Sequence, residues 1–383
     1  MGWDRKAPFV VQAPVPPMLG RWVLAAVVAV VVGVLLFLLH ASMQLAQLQA
    51  INVWLLSGSP LLVWVLLFAT RAYFYGGALG QYQFLKEEAA NAQLAWQDWA
   101  QRYLAVHTSC VLLPDQVSAS GLQVRRDLPL RTGQARRIAA LPEQGDRAQA
   151  GLQMLLPVLG PALQALPAEQ ALRVTLLSDV EPDNYAALRD VWQQWKTAHL
   201  KQPATVTLTN KLSCQWIDDT LKSATAALDL ILVMQVNGGE AYSDGLAALL
   251  LCPDQLAVAR DLPVKGGLLR PMPLDLATLN SELALFQQTQ TMALQATAVL
   301  ADSADWQPLT GNVFATIGSQ AASLSAQQLW VQEHLCGLPG PFGHWLAAAF
   351  GVEMVQHQRQ PVLLLAKDES RYWISTVIEG DVA

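Results

Sequence analysis

Two long apolar runs stand out before any other pattern in the chain. Trp22–Leu39 reads WVLAAVVAVVVGVLLFLL, and Ile51–Thr70 reads INVWLLSGSPLLVWVLLFAT, with Ser57, Gly58, Ser59 and Pro60 in mid-run. About 20 apolar residues in a helix span the hydrocarbon of a bilayer, so residues 22–71 are expected to form a two-helix transmembrane hairpin. The first run is too long for the apolar part of a secretory signal, and no small-residue cleavage pattern follows it. The proline in the second is compatible with a membrane helix, because the hydroxyls of Ser57 and Ser59 can satisfy the backbone groups it frees.

Beyond Arg71 the pattern changes. Residues 72–103 carry Trp96, Trp99 and Tyr103 at helical spacing and read as a connecting helix with one apolar stripe. From Val106 short apolar runs alternate with amphipathic ones. VHTSCVLLP reads as a strand, and DRAQAGLQMLLPVLGPALQAL as a helix interrupted at Pro157 and Pro161. Leu172–Val180 is a strand, and Asn184–Leu200 a helix with Leu188, Val191, Trp192 and Trp195 on one side. ATVTLTN, CQWIDDTLKSA and Leu228–Val236 follow as strand, helix and buried strand, then two turns, a second apolar strand and a helix begun by proline. In the last third, Ser281–Asp302 reads as a helix, NVFATIGSQ as a strand and SLSAQQLWVQEHLCG as a helix. GPFGHWLAAAFGVEMVQH reads as another helix, and PVLLLAKDE with RYWISTVIEG as a closing strand pair. Strands alternating with helices predict an α/β domain over 104–383. At about 280 residues it exceeds the usual ~100–200 of one domain, and a core of two similar halves fits that length.

Charge adds orientation. Only 14% of residues are charged, against about 25% in soluble domains, and the apolar runs account for part of the deficit. Arg5, Lys6 and Arg21 precede the first run and Arg71 closes the second, whereas the loop HASMQLAQLQA has neither Lys nor Arg. The positive-inside rule places residues 1–21 and the large C-terminal domain in the cytoplasm, with Trp22, Trp54, Tyr73 and Tyr75 near the interfaces. The four cysteines (Cys110, Cys214, Cys252 and Cys336) form no C-x-x-C pair, which argues against a zinc ribbon or a thioredoxin-like motif and fits a reducing compartment. A net charge of −6 without a basic stripe excludes nucleic-acid binding, and spans without charges speak against a transport path. The sequence has no Walker A, G-x-G-x-x-G, G-x-S-x-G or H-E-x-x-H pattern, and no cofactor or metal is expected.

Three segments in order resemble the condensing enzymes of the thiolase superfamily, especially β-ketoacyl synthases. LDLILVMQVNGGEAYSDGLAALLLCPDQLA is similar to their apolar strand, Gly-Gly and following strand, with Asp229, Gly238, Gly239, Asp244 and Gly245 in matching style. VFATIGSQ stands where the family has a strand ending in His-Gly-Thr. GHWLAAAFGVE resembles the family's Gly-His helix start at Gly343, His344, Leu346, Ala348, Ala349 and Glu353. The resemblance covers roughly residues 170–380. It implies a two-half layered α/β/α/β/α fold, behind the transmembrane hairpin, and a homodimer through the sheet edge.

It also implies a site. In the family a cysteine at a buried helix start is the nucleophile and two histidines assist it. Cys214, which begins CQWIDDTLKSA, is the nucleophile candidate, and His344 stands for one histidine. Where the other is expected the sequence offers Thr316, which cannot act as an imidazole. Fewer residues separate Cys214 from Asp229 than the family pattern leaves. Gln215, Trp216, Trp345 and Phe350 are bulky where the family has small residues. An incomplete set implies a non-catalytic adaptor or scaffold on a bacterial inner membrane that recognises a protein partner, such as a type VI secretion accessory protein. The alternative is a membrane-bound acyltransferase or condensing enzyme acting on acyl thioesters through Cys214 and His344. Glu353 and His357, at i,i+4 with no third ligand, read as a surface pair, and Asp244-Gly245 as a turn.

Overall fold

The computed structural model describes residues 2–3, 12–43, 51–124, 130–143, 145–223, 225–318, 324 and 326–380. They fall into two compact units, residues 6–95 and residues 1–5 with 96–383.

In the first unit, α1 (Leu19–Ala41) runs antiparallel to α2 (Val53–Gln101), whose last residues, from Trp96, belong to the second unit. The Trp64 indole N–H donates to the Trp22 carbonyl at 3.0 Å, and the Phe37 and Trp54 rings lie 6.1 Å apart. Between these contacts Gly33 lies so close to the Ser57 carbonyl that a side chain there would collide with it. Small residues permit such close approach between helices. Both helices are long and apolar enough to cross a membrane; the 23 residues of α1 extend about 34 Å. Pro60 does not end α2. It leaves the Leu56 carbonyl without its helical donor, and the Ser59 hydroxyl donates to that carbonyl at 2.9 Å, while Ser57 donates to Val53 at 2.8 Å. The second apolar run and the helix expected over 72–103 are therefore one continuous helix.

The second unit is built on one 11-stranded sheet. Its first half contains β1 (Tyr103–Leu112), α3 (Ala119–Val124), α4 (Arg147–Gln164), β2 (Leu172–Ser178), α5 (Tyr185–His199), β3 (Ala204–Thr209), α6 (Gln215–Lys222), β4 (Leu228–Gln235), β5 (Gly245–Pro253) and α7 (Asp254–Ala259). The second half contains β6 (Gly266–Leu269), β7 (Met272–Leu274), α8 (Leu279–Thr289), β8 (Ala298–Ala301), α9 (Thr310–Gly318), β9 (Leu329–Val331), α10 (Gln332–Cys336), α11 (Gly343–Gln358), β10 (Val362–Asp368) and β11 (Arg371–Glu379). The strands lie in the order β3-β2-β4-β5-β1-β6-β11-β10-β8-β9, with β7 on β11. Counted within each half, with β6 and β7 together as the first strand, both halves have the order third, second, fourth, fifth, first. In both, the fifth strand runs antiparallel to its neighbours while the second, third and fourth are parallel. The halves join where Tyr103–Val106 pairs with Gly266–Leu269.

Alternation along the strands makes the layers. On β4, Ile231 and Val233 join an inner core with Leu300, Leu364 and Val377 around α11, while Leu230 and Leu232 meet Leu152, Leu155 and Trp192 of α4 and α5 on the other side. On β10, Val362 and Leu364 face inward, and Leu363 and Leu365 pack with Phe286 and Ile317 of α8 and α9. Strands buried on both faces read as continuous apolar runs, as β4 and β5 do. α11, buried along nearly its whole length, packs against β1, β5 and β6 as well as β8, β10 and β11.

Four elements differ from the sequence reading. α4 runs through Pro157 and Pro161 because both prolines, and the Gln153 that loses a partner to Pro157, lie on its exposed face, where water can satisfy the freed carbonyls. The helix expected over Ser281–Asp302 ends at Thr289. There the Gln290 side chain donates to the Ala100 and Arg270 carbonyls and accepts from Thr376, and TAVLAD supplies β8 instead. VFATIGSQ falls on a helix as far as Gly318, with Val313 and Ile317 on its buried face; its last two residues lie outside the described ones. The helix expected over SLSAQQLWVQEHLCG resolves into β9 and the short α10. Apolar runs this short carry no decisive period.

Candidate functional site

The loop after β3 delivers Cys214 to the start of α6, and α11 begins one residue before His344. The start of α11 is fixed by Gln235, whose side chain accepts from the Phe342 amide and donates to the Ser243 carbonyl, both at 2.9 Å. Gly340 lies directly against that carboxamide, with no room for a methyl group. Asp368 closes β10. Ligand-capable atoms of Cys214, His344 and Asp368 lie within 4.8 Å of one another, so the structure brings the two sequence candidates together and adds an acid. The Cys214 amide donates to Asp368 Oδ2 at 3.0 Å. His344 Nε2 lies 2.8 Å from the Leu212 carbonyl, which also accepts from the Trp345 indole at 2.7 Å. An acceptor at Nε2 requires the proton there, and Nδ1 is left buried without a partner.

Cys214, Ile217, His344, Ala348, Leu364 and Trp373 line a cavity of about 20 Å³, room for one water. Trp216 packs edge-on against Trp345 beside it, with ring centroids 5.8 Å apart. Burial pushes the Cys214 thiol well above its ordinary range, and the nearby carboxylates of Asp368 and Asp302 push the same way. Burial also lowers His344, with the Asp368 charge opposing it. These shifts favour a protonated thiol and a neutral imidazole. A nucleophilic cysteine needs the reverse, a thiolate beside a cation or an open helix start. The Cys214 backbone N–H is engaged by Asp368 and so is not free to donate to an oxyanion.

Thr316 is not at this site, since it lies on α9. The strand that ends beside the site is β8, and Asp302 follows it. The Asp302 carboxyl is buried and accepts from the Lys367 amide at 2.6 Å and the Trp306 indole at 3.2 Å. Burial pushes it up to about 7. Sequence reasoning missed both Asp302 and Asp368; the one signal was an acidic residue closing an apolar run. Asp244 is more than a turn residue: its buried carboxylate binds Arg147, Arg137 and the Ile138 amide. Asp229 forms a two-pronged pair with Arg173 at 2.8 and 2.7 Å. Glu353 is half-buried and accepts from the Ala119 amide, His357 is exposed, and no third ligand joins them among the described residues. Phe350 and Trp345 are buried in the inner core.

No protein-family model matches the sequence, and no curated protein matches it. Solved structures do. The AntDE:AntF complex of a type II polyketide synthase acyl-carrier protein with its ketosynthase, bound to the hexaketide, is similar with a TM-score of 0.51 at 10% identity, over 73% of this chain and 99% of the other. The ishigamide ketosynthase/chain length factor (TM-score 0.47, 13% identity, 73% and 99% covered) and human mitochondrial 3-ketoacyl-CoA thiolase in complex with CoA (0.43, 9%, 74% and 99%) are further from it in shape. With the repeated strand order, the first likeness defines the class: a thiolase-like α/β fold with a mixed sheet. Two N-terminal helices long enough to cross a membrane accompany it. At 10% identity the likeness defines the fold alone.

Proposed function

We propose that this chain is a membrane-anchored, non-catalytic thiolase-like adaptor or scaffold whose α/β unit recognises a protein partner at the cytoplasmic face of a bacterial inner membrane. The closed site carries the reading. A cavity of about 20 Å³ beside Cys214 is far below the ~300–1,000 Å³ of a small-molecule pocket. The hairpin supplies the anchor. Gly2 and Trp3 pack on the α/β unit, through the Gly2 amide on Glu282 at 2.6 Å and Trp3 against Trp99 and Phe286. The positive-inside rule puts both the segment before α1 and the domain after α2 on the cytoplasmic side. The end strand β3, with Thr205 and Thr207 exposed, offers an edge to a partner or a second copy. The type VI secretion accessory role remains part of this proposal and rests on the family resemblance.

The test is capture of a defined partner from cross-linked membranes by the full chain, compared with Thr205→Lys and Thr207→Lys. The reading expects one specific partner or a homodimer, weakened by charge on the β3 edge. A monomer with no specific partner overturns it. A reporter fused after residue 383 is expected to be active only in its cytoplasmic form; a periplasmic signal overturns the topology. The second reading, an acyltransferase using Cys214 and His344, is favoured by one observation. The Cys214 sulfur and a ring nitrogen of His344 are within 4.8 Å, and Nδ1 has no partner. That reading requires an acyl adduct on Cys214.

A further inference from the structure

The Cys214–His344–Asp368 cluster holds a third ligand-capable group, Asp368, that neither reading uses. It is the only group of three His, Cys, Asp or Glu side chains with metal-ligand spacing among the described residues. Its members come from three separated segments, so no sequence motif marks it. His344 is 4% exposed, its Nε2 fixed on the Leu212 carbonyl and its Nδ1 lone pair buried and unpaired. Metal-bound imidazoles are held in this way, one nitrogen oriented by a carbonyl and the other on the ion. Asp368 is oriented likewise by the Cys214 amide on Oδ2. The adjoining cavity of about 20 Å³ has room for one water.

We propose that Cys214, His344 and Asp368 bind one tetrahedral divalent transition-metal ion, zinc being the best match, with water in the fourth position. Thiolate, imidazole and carboxylate are zinc's usual ligands. On binding, the Cys214 thiol releases its proton to solvent and its sulfur lone pair bonds the ion. The two charges of zinc then balance one thiolate and one carboxylate, so the buried cluster is neutral, as a low-polarity site requires. Bond lengths of ~2.0–2.3 Å place the ligand atoms ~3.3–3.8 Å apart, so closure asks the group to contract by about 1 Å. The ion ties the start of α6 in the first half to α11 and β10 in the second.

The full chain in detergent is stripped with a chelator and titrated with zinc or cobalt alone. One equivalent of metal is expected, with one proton released per zinc near neutral pH. The cobalt form is expected to show a thiolate charge-transfer band and a tetrahedral d–d spectrum. Both features disappear in Cys214→Ala, and Asp368→Asn weakens binding by roughly tenfold or more. Circular dichroism checks that each variant is folded. Proton release and the spectrum of the unmutated chain decide the matter if a variant unfolds. Substoichiometric metal, or a cobalt spectrum unchanged by Cys214→Ala, overturns the proposal. Acyl-thioester labelling of the chelated protein tests the non-catalytic reading separately, since an adduct there leaves the metal result standing.

Discussion

Replacing Phe350 by glycine, the small residue that the resemblance to condensing enzymes leads one to expect at this point of the helix, is expected to wreck the packing here. Phe350 is wholly buried in α11, within the core between the two halves. Removing a buried phenylalanine side chain costs about 3–5 kcal/mol, because the surroundings collapse only partly into the space. Glycine inside a helix adds about 1 kcal/mol relative to alanine. The sum, about 4–6 kcal/mol, is comparable with the ~5–15 kcal/mol total stability of a domain. Urea unfolding of the full chain in detergent, followed by the fluorescence of the buried Trp192, Trp306 and Trp345, reads the change. Phe350→Leu, which keeps most of the volume, is expected to cost only about 1–2 kcal/mol. A glycine variant within about 1 kcal/mol of the parent would refute the view that Phe350 is a structural residue of this core.

Other perturbations follow from single contacts. Gly340→Ala places a methyl on the Gln235 carboxamide and breaks its bonds to Phe342 and Ser243; a loss of about 1–3 kcal/mol is expected, and unchanged amide exchange in the first turn of α11 would contradict it. Gly33→Leu drives α1 from the Ser57 carbonyl, so disulfide formation in a Phe37→Cys/Trp54→Cys pair should fall; equal cross-linking would refute the close approach. Burial pushes the Asp302 carboxyl up to about 7 from an ordinary 3.8, so the unfolded chain loses that proton first. Its contribution is present in full below pH 3.8 and is lost as pH rises to about 7, a change on the order of 4 kcal/mol. The stability difference between the chelated parent and Asp302→Asn should therefore shift against the parent from pH 4 to pH 8, and a difference independent of pH would count against a buried, protonated carboxyl.

The first half of the α/β unit was legible because its signals are long. β1, β2, β4 and β5 are apolar runs of 7–10 residues, and α5 shows a clear stripe through Leu188 and Trp192. The second half was misplaced around β8 and β9, which are 4 and 3 residues long and owe their pairing to strands far away in sequence. That error carried Thr316 to a strand end it does not occupy. At the site, Cys214 and His344 were visible through the resemblance. Asp302 and Asp368 were not, since a lone acid after a strand has no local pattern and only the sheet order brings it to the cysteine. Ser59 is the opposite case, where proline chemistry alone pointed to the hydroxyl that replaces the missing donor.

The account stands most directly on the state of Cys214. Full-length chelated protein, incubated with a long-chain acyl thioester and with a cysteine-directed condensing-enzyme inhibitor, is read by intact mass beside Cys214→Ala. A closed site with a protonated thiol predicts no adduct at Cys214 from either reagent in the folded chain. A stoichiometric adduct in the parent, absent in Cys214→Ala, would contradict the non-catalytic reading and establish the acyltransferase in its place.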